Sequence, residues 1–586
     1  MTNNLPQRQF SLHKWAGSLT AHAVVLGIVL FALIPFVDTG AFGFPDEALY
    51  AAQADALNHG SWSVDRPAAD IDPDGMFSAL GPQTIVGDKM IPYSRRPLYP
   101  TLLAPFWSIG GTAGAMVLSA VGALAAALFG ALIAGYFDKR LAIPTLWLLG
   151  IGSPLLFDAH WIVAHALAAG AAAAMAYFAI IASDPGRQPA APFRWRKTAP
   201  TASAACLAAA LLVFLRSEGV LIAGIFGGVI AVSGIRPRRW RPHFEWGRVL
   251  LGFTIGAVAS AAYLLNNMWA RSVTPGSGGD PSSSNREPDA VWAAWTGLIR
   301  PWFPDARYAT TSMALVVACC ILAPVAARFL PRQHLLSLSL LCIAAVSAGF
   351  RVFEDHNLIS GLLACAPWLL LGGISLRKHD VDRAPQAWLV TTTGLATLAI
   401  LLTSYGVGGA AEWGGRFFHP LLPLIGPVCV VGLSRLLSGY EGRQRIVAGV
   451  AVGVLALSMA GTAVLANRDL RTSARQLQDA VFAVGGKGGT PKTVVLVELQ
   501  SSGGSRQLWR AKDHNIDVLH SPLIGLPILL HDVPANRQTI TLITNIEPKL
   551  MDKFLELRHV GGWKVSDHYP ASDTYGLETI VLERST

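Results

Sequence analysis

Long apolar runs, separated by short polar or Pro/Gly-marked connections, recur along the chain as far as about residue 466. A helix needs about 20 mainly apolar residues to cross a hydrocarbon core roughly 30 Å thick. The pattern predicts spans near 17–37, 111–136, 141–157, 160–182, 200–215, 219–234, 249–270, 308–328, 335–350, 358–376, 387–405, 417–437 and 446–466. Beyond residue 466 the pattern changes. Thr493–Leu499 and Thr539–Ile543 read as buried strands, Lys549–Arg558 as a helix and Thr579–Leu582 as a closing strand. The expected fold is therefore a polytopic α-helical membrane domain over 1–466, with about 13 transmembrane helices, followed by a small extracytoplasmic α/β domain over 467–586.

Composition agrees with a membrane protein and excludes an ordinary soluble one: 52% of residues are hydrophobic and 14% charged. The formal net charge of +9 could suggest a nucleic-acid partner, but its distribution excludes that. Alternate connections carry the basic residues: Arg8 and Lys14, Lys139-Arg140, Arg194/Arg196/Lys197, Arg236/Arg238/Arg239/Arg241, Arg328/Arg332, Arg377-Lys378 and Arg443/Arg445. The positive-inside rule puts these in the cytoplasm, with the N-terminus, and puts the C-terminal domain outside. The first span has no clear small-residue cleavage site and reads as a retained signal anchor in a bacterial inner membrane.

Three external segments are longer than connectors need to be: 38–99, 271–307 and everything after 467. The second ends in Trp292, Trp295, Trp302 and Phe303, as an interfacial helix would. Gly485-Gly486-Lys487-Gly488-Gly489 is not a nucleotide-binding loop, because the Lys-Thr/Ser ending and the following helix are missing.

Under this topology, most ionisable residues near membrane depth fall on the external side: Asp46, Glu47, Arg95, Arg96, Asp158, His160, Arg216, Glu218, Arg351, Glu354, Asp355, His356, Glu412 and Arg416. Such groups are costly there, so their collection on one face points to a shared aqueous site. Simpler readings exist for some. Pro45-Asp46-Glu47 also suits any helix N-terminus, and Glu412 with Arg416 has the spacing of a surface ion pair. His160 and His165, five apart, fall on different helix faces, so a shared metal site is not expected. Arg95-Arg96 ahead of a helix, and Arg216 in a break between spans, oppose both the helix dipole and the charge bias. Several guanidinium groups on one face suit an anion, and the natural anion there is a lipid phosphate.

Pro45-Asp46-Glu47-Ala48-Leu49-Tyr50-Ala51, with Gly60-Ser61-Trp62 after it, resembles the first external loop of the C-type membrane glycosyltransferases. The likeness is greatest to the aminoarabinose lipid A transferase and protein O-mannosyltransferase group. Arg95-Arg96-Pro97-Leu98-Tyr99 looks like that group's Lys-Pro-Pro-Leu-Tyr, with Arg95 in the place of the phosphate-binding lysine. Arg216-Ser217-Glu218-Gly219 is similar to the superfamily's Arg-Pro-Glu-Gly turn, with serine replacing proline. Trp413 to Pro423 looks like its late Gly-Arg-Tyr-x-x-Pro segment.

The resemblance implies a sugar donor on a polyprenyl phosphate, a lipid or cell-wall glycan acceptor, and inversion at the anomeric carbon. It implies Asp46 as base, with Glu47 as support or second candidate. It implies donor contacts from Arg95, Arg96, Tyr99, Arg216, Glu218 and Arg416, and the gathering of ionisable residues on the external side adds Asp158, His160 and Glu412 as expected contacts. No metal or other cofactor is expected, although some relatives use a divalent ion. A transporter or flippase and a non-catalytic envelope scaffold are the alternatives.

Overall fold

A computed structural model describes residues 18–584 except 67, 79–83, 87–88, 94, 184–194, 239–240, 274–289, 301–310, 331–333, 354–357, 360, 404–412, 485–491, 499–507, 559, 561 and 573–576. Glu354, Asp355, His356 and Glu412 thus lie outside the described residues, as do Trp302, Phe303 and the Gly485–Gly489 run.

Ten helices among the described residues are long and apolar enough to cross a membrane. The other three expected spans are shorter. Gly219–Ser233 is a 15-residue helix, 141–157 is divided into Ala142–Gly150 and Leu155–Ala159, and 358–376 into Leu362–Cys365 and Trp368–Ser375. Pro154 and Pro367 stand at those breaks, where a missing N–H interrupts the helical ladder. The helix Leu98–Phe137 is 40 residues long and kinks at Gly111, and Gly442–Val484 runs 43 residues, well past the expected boundary at 466. Large apolar side chains such as Ile28, Phe253 and Val346 stay exposed on the bundle, as lipid-facing residues do. The protein is an integral membrane protein.

Small two- to four-residue strands decorate the connections: β1 (Val64–Asp65), β2 (Thr84–Val86) and β3 (Lys89–Ile91) in the first loop, and the hairpin β4 (Ile235–Arg238) and β5 (Arg241–Phe244) between spans. The C-terminal domain is a five-stranded mixed sheet made of β6 (Lys492–Val497), β7 (Ile516–Ser521), β8 (Thr539–Thr544), β9 (Trp563–Ser572) and β10 (Leu577–Arg584), in the order β7-β6-β8-β10-β9. β6 is parallel to both its neighbours and apolar on both faces, as a covered central strand must be.

Successive side chains of a strand point to opposite faces. Val494 and Leu496 accordingly pack on Leu477, Val481 and Val484 at the end of the last long helix. Val495 and Val497 pack on Leu526, Leu529 and Met551, and on Ala68, Ile71 and Phe77 from the first loop. That loop also pairs with edge strand β7 through His520 N–H to the Phe77 carbonyl at 2.8 Å and a Ser78–Leu519 bridge. The first loop therefore belongs partly to the C-terminal domain's core and covers its open edge.

Candidate functional site

The segment Phe44–Asn58 begins a helix for readable reasons. Pro45 fits the first position, and the Glu47 carboxylate turns back to accept the N–H groups of Gly43 (2.6 Å) and Phe44 (3.1 Å). Glu47 also accepts the Ile162 N–H at 2.8 Å and pairs with Arg471. Both side chains are fully buried. Arg471 completes its own set with the carbonyls of Ala41 (2.7 Å) and His160 (3.0 Å) and the amide oxygen of Asn467 (3.2 Å). Burial lifts the Glu47 carboxyl above the ordinary carboxylate range, against the pull of Arg471 and the three amides. This knot ties the first loop to the last long helix, and Glu47 has no open side.

Asp46, one residue earlier, faces the other way. Its carboxylate is 41% exposed and lies 3.1 Å from Nη1 of Arg416. Arg416 is delivered by Gly414-Gly415, both left-handed at φ +68° and +66°. A Cβ on Gly414 would strike Pro154, and one on Gly415 the Gly297 carbonyl, so only glycine fits. The chain then makes a 3₁₀ turn, Arg416–Leu421, in which residues three apart eclipse. Arg416 and His419 accordingly leave from the same side.

Phe417 has two guanidinium groups near its ring: Arg416 at 4.9 Å and Arg216 at 5.7 Å from the ring centre. Arg216 pairs with Glu218, and Ser217 between them receives Nη2 of Arg96 at 2.8 Å. Burial alone would lift the Glu218 carboxyl, but Arg216 and then Arg96 outweigh it and hold it down at about 2. Tyr50, on the helix of Asp46, feels the charges of Arg216, Arg96 and Asp46 together. Its phenol, pushed up by burial first and by Tyr93 next, meets the Tyr93 hydroxyl at 3.2 Å.

The structure thus brings Asp46, Arg96, Arg216, Glu218 and Arg416 together at one end of the bundle. The remaining described candidates have other surroundings. Arg95 is exposed, and it is Arg96 that turns inward to Ser217. Tyr99 is buried edge-on against Tyr50 at 4.8 Å. His160 is buried with its ring nitrogens on the carbonyls of Leu156 (2.9 Å) and Leu30 (3.0 Å). Asp158 is fully buried and meets Nδ1 of His419 at 2.7 Å.

Two residues escaped sequence reasoning. Arg471 stands in a charged stretch that reads as the exit from a span, and its partner is 424 positions away. His419 sits inside the Trp413–Pro423 segment, and only its spacing of three from Arg416 hinted that the two act on one side.

No protein-family model matches the chain. A stretch of 215 residues is 27% identical to the achromobactin transport system permease protein CbrC of Dickeya dadantii (strain 3937), covering 36% of this chain. The match spans 59% of that relative's length. Among solved structures, ArnT from Cupriavidus metallidurans in the apo state aligns with a TM-score of 0.52 at 13% identity, over 97% of this chain and 98% of that one. ArnT bound to undecaprenyl phosphate aligns over the same shares at 13% identity, with a TM-score of 0.51. The overall fold is similar to that of ArnT, as the motif resemblance led us to expect.

Proposed function

We propose that this protein is a C-type glycosyltransferase of a bacterial inner membrane, moving a sugar from a polyprenyl-phosphate donor to a hydroxyl of a lipid or cell-wall glycan. The observation that carries this reading is the pairing of Asp46 with Arg416 beside Arg96 and Arg216, at one end of a bundle with the ArnT fold. The positive-inside bias assigns that end to the extracytoplasmic face.

In the reaction, Asp46 takes the proton of the acceptor hydroxyl as that oxygen forms its bond to the anomeric carbon. The bond from that carbon to the phosphate oxygen breaks, and the polyprenyl phosphate leaves with the electron pair, giving inversion. A positioned base contributes about 10²–10⁴-fold. Arg96, Arg216 and Arg416 neutralise the charge that grows on the leaving phosphate, which needs donors already in place. Arg416 has two uses. Without donor it holds Asp46, and an arriving phosphate competes for its guanidinium and frees the carboxylate to act as base. Glu218 keeps Arg216 oriented, and Glu47 with Arg471 fixes the helix that carries Asp46.

The likeness to a permease keeps a transporter as a second reading, favoured by that sequence match alone. One experiment separates them. Purified protein is offered a panel of polyprenyl-phosphate sugars with an envelope-lipid acceptor, and products are followed by mass spectrometry. Donor consumption with a new glycosidic bond, lost in Asp46→Asn, is expected. Movement of a solute across reconstituted vesicles without donor consumption overturns the enzyme reading.

A further inference from the structure

Asp158, His165 and His419 come from three separate elements: the short helix Leu155–Ala159, the start of the span His165–Ser183 and the 3₁₀ turn Arg416–Leu421. Each offers a ligand atom, and these atoms all lie within 4.8 Å of one another. All three side chains are at least 99% buried.

Their hydrogen bonding is incomplete in one place. Nε2 of His419 lies 3.0 Å from the Gly414 carbonyl, which can only accept, so that nitrogen carries a hydrogen. Its Nδ1 then faces Asp158 Oδ2 at 2.7 Å with one proton held between them. The other carboxylate oxygen, Asp158 Oδ1, has no hydrogen-bond partner, and neither ring nitrogen of His165 has one. His165 makes ring contacts only: edge-on to Trp161 at 5.0 Å and to His419 at 5.8 Å. Buried nitrogens and oxygens left unpaired carry a desolvation cost, so three at one point call for a common occupant.

We propose that Asp158, His165 and His419 bind a divalent transition-metal ion of the zinc, cobalt or manganese class. Two imidazoles and one carboxylate suit such ions, whereas calcium and magnesium prefer oxygen ligands alone. The metal takes the place of the proton between Asp158 and His419. It gives Asp158 Oδ1 and a His165 nitrogen the partner they lack. His419 is already set for ligation, since a metal-bound histidine donates its other N–H to a carbonyl or carboxylate, here that of Gly414. Tying three elements together beside Arg416, the ion clamps the turn that presents that arginine, and it replaces the expectation that no metal is bound. The fixed charges of Arg216, Arg416 and Arg96 all act on His165, so the carboxylate is needed to make the site tolerable for a cation.

The test does not depend on the transfer reaction. Chelator-stripped full-length protein in detergent is titrated with Co²⁺ or Zn²⁺, and bound metal is measured by elemental analysis, cobalt absorption and thermal unfolding. One metal per chain, visible cobalt bands and a raised melting temperature are expected. His165→Phe keeps an aromatic ring without a ligand atom and should fold without metal as the native protein does, yet lose at least about tenfold in metal affinity and the metal-dependent rise in melting temperature. Failure of the native protein to bind Co²⁺ or Zn²⁺ overturns the proposal, whatever the variants do. Undiminished binding by a folded His165→Phe overturns it as well; if that variant does not fold, His419→Gln is read in the same way.

Discussion

Asp46 and Glu47 are neighbours in the chain with the same functional group, and the protein puts them in opposite surroundings. Glu47 is wholly buried, receives three backbone amides and pairs with a buried arginine that is itself fully partnered. Asp46 is 41% exposed and has its described contact with one arginine, which is itself part-exposed. A helical offset of one residue is about 100°, enough to send one carboxylate into the protein and the other towards solvent. The first arrangement resists change, and the second invites a ligand to compete for its arginine. Adjacent acids therefore tell little about which of them reacts until their partners are known.

The largest effect expected from breaking this contrast is at Arg471. Arg471→Met leaves Glu47 buried and charged with no counter-ion, a kind of loss that costs about 3–5 kcal/mol. It should show as a large drop in melting temperature in detergent. Adding Glu47→Gln removes the stranded charge and keeps an acceptor for the amides of Gly43, Phe44 and Ile162, so the double variant should be more stable than Arg471→Met alone. A double variant no better than the single would mean that the pair is not what holds the first loop to the last long helix.

Next comes Asp46→Asn. Transfer should fall by about 10²–10⁴-fold, with a change in stability within about 0.5 kcal/mol, as at other part-exposed positions. Activity with a polyprenyl-phosphate sugar and unfolding in the same detergent are the two measurements. A stability loss like that of Arg471→Met, or full activity, would erase the distinction between the two acids.

These two residues also mark how far the sequence could be read. The span pattern, the mixed C-terminal domain and the gathering of Asp46, Arg216 and Arg416 at one end are all legible, because they rest on apolar run length, side-chain alternation and charge placement. Strands β7 and β9 were not foreseen: Asp517 and His520, three apart, break the two-residue period in Ile516–Ser521, and Trp563–Ser572 is largely polar. Partnerships were the blind spot. Arg471 with Glu47, and Asp158 with His419, join residues 424 and 261 positions apart, and no local pattern encodes such pairings. The choice of Arg96 over Arg95 as the inward residue is a matter of one step in register. The first loop's share in the C-terminal core was equally hidden, because Ala68, Ile71 and Phe77 are scattered among prolines and aspartates.

A third test uses pH. Glu218 is held at about 2 in the fold against an ordinary value of 4.5. As pH falls, the unfolded chain takes up this proton first, so the stability that Glu218 contributes is complete above about pH 4.5 and drains away towards pH 2. The contribution is on the order of 3 kcal/mol. Glu218→Gln should flatten the melting-temperature profile over the accessible part of that range. An unchanged acid slope in the variant would mean that Arg216 does not depend on Glu218 for its counter-charge.

The smallest effect expected is at Ser217, where the chain departs from the proline of the resembling motif. The Ser217 hydroxyl accepts from Arg96 at 2.8 Å and lies 3.3 Å from Oε2 of Glu218, to which it can donate. It is the described link between the Arg96 side chain and the Arg216–Glu218 pair. Ser217→Ala removes hydrogen bonds to two charged groups, about 1.5–3 kcal/mol each at most and less where water can replace them. If Arg96 serves the leaving phosphate, that loss should appear as a several-fold fall in kcat/KM for the donor, carried by kcat, because the charge Arg96 neutralises grows in the transition state. Arg96→Ala should lower the same kcat/KM further, and the double variant should add little to that loss, since both act through one guanidinium. Independent, additive effects would separate Ser217 from Arg96 and leave the arginine held by other groups.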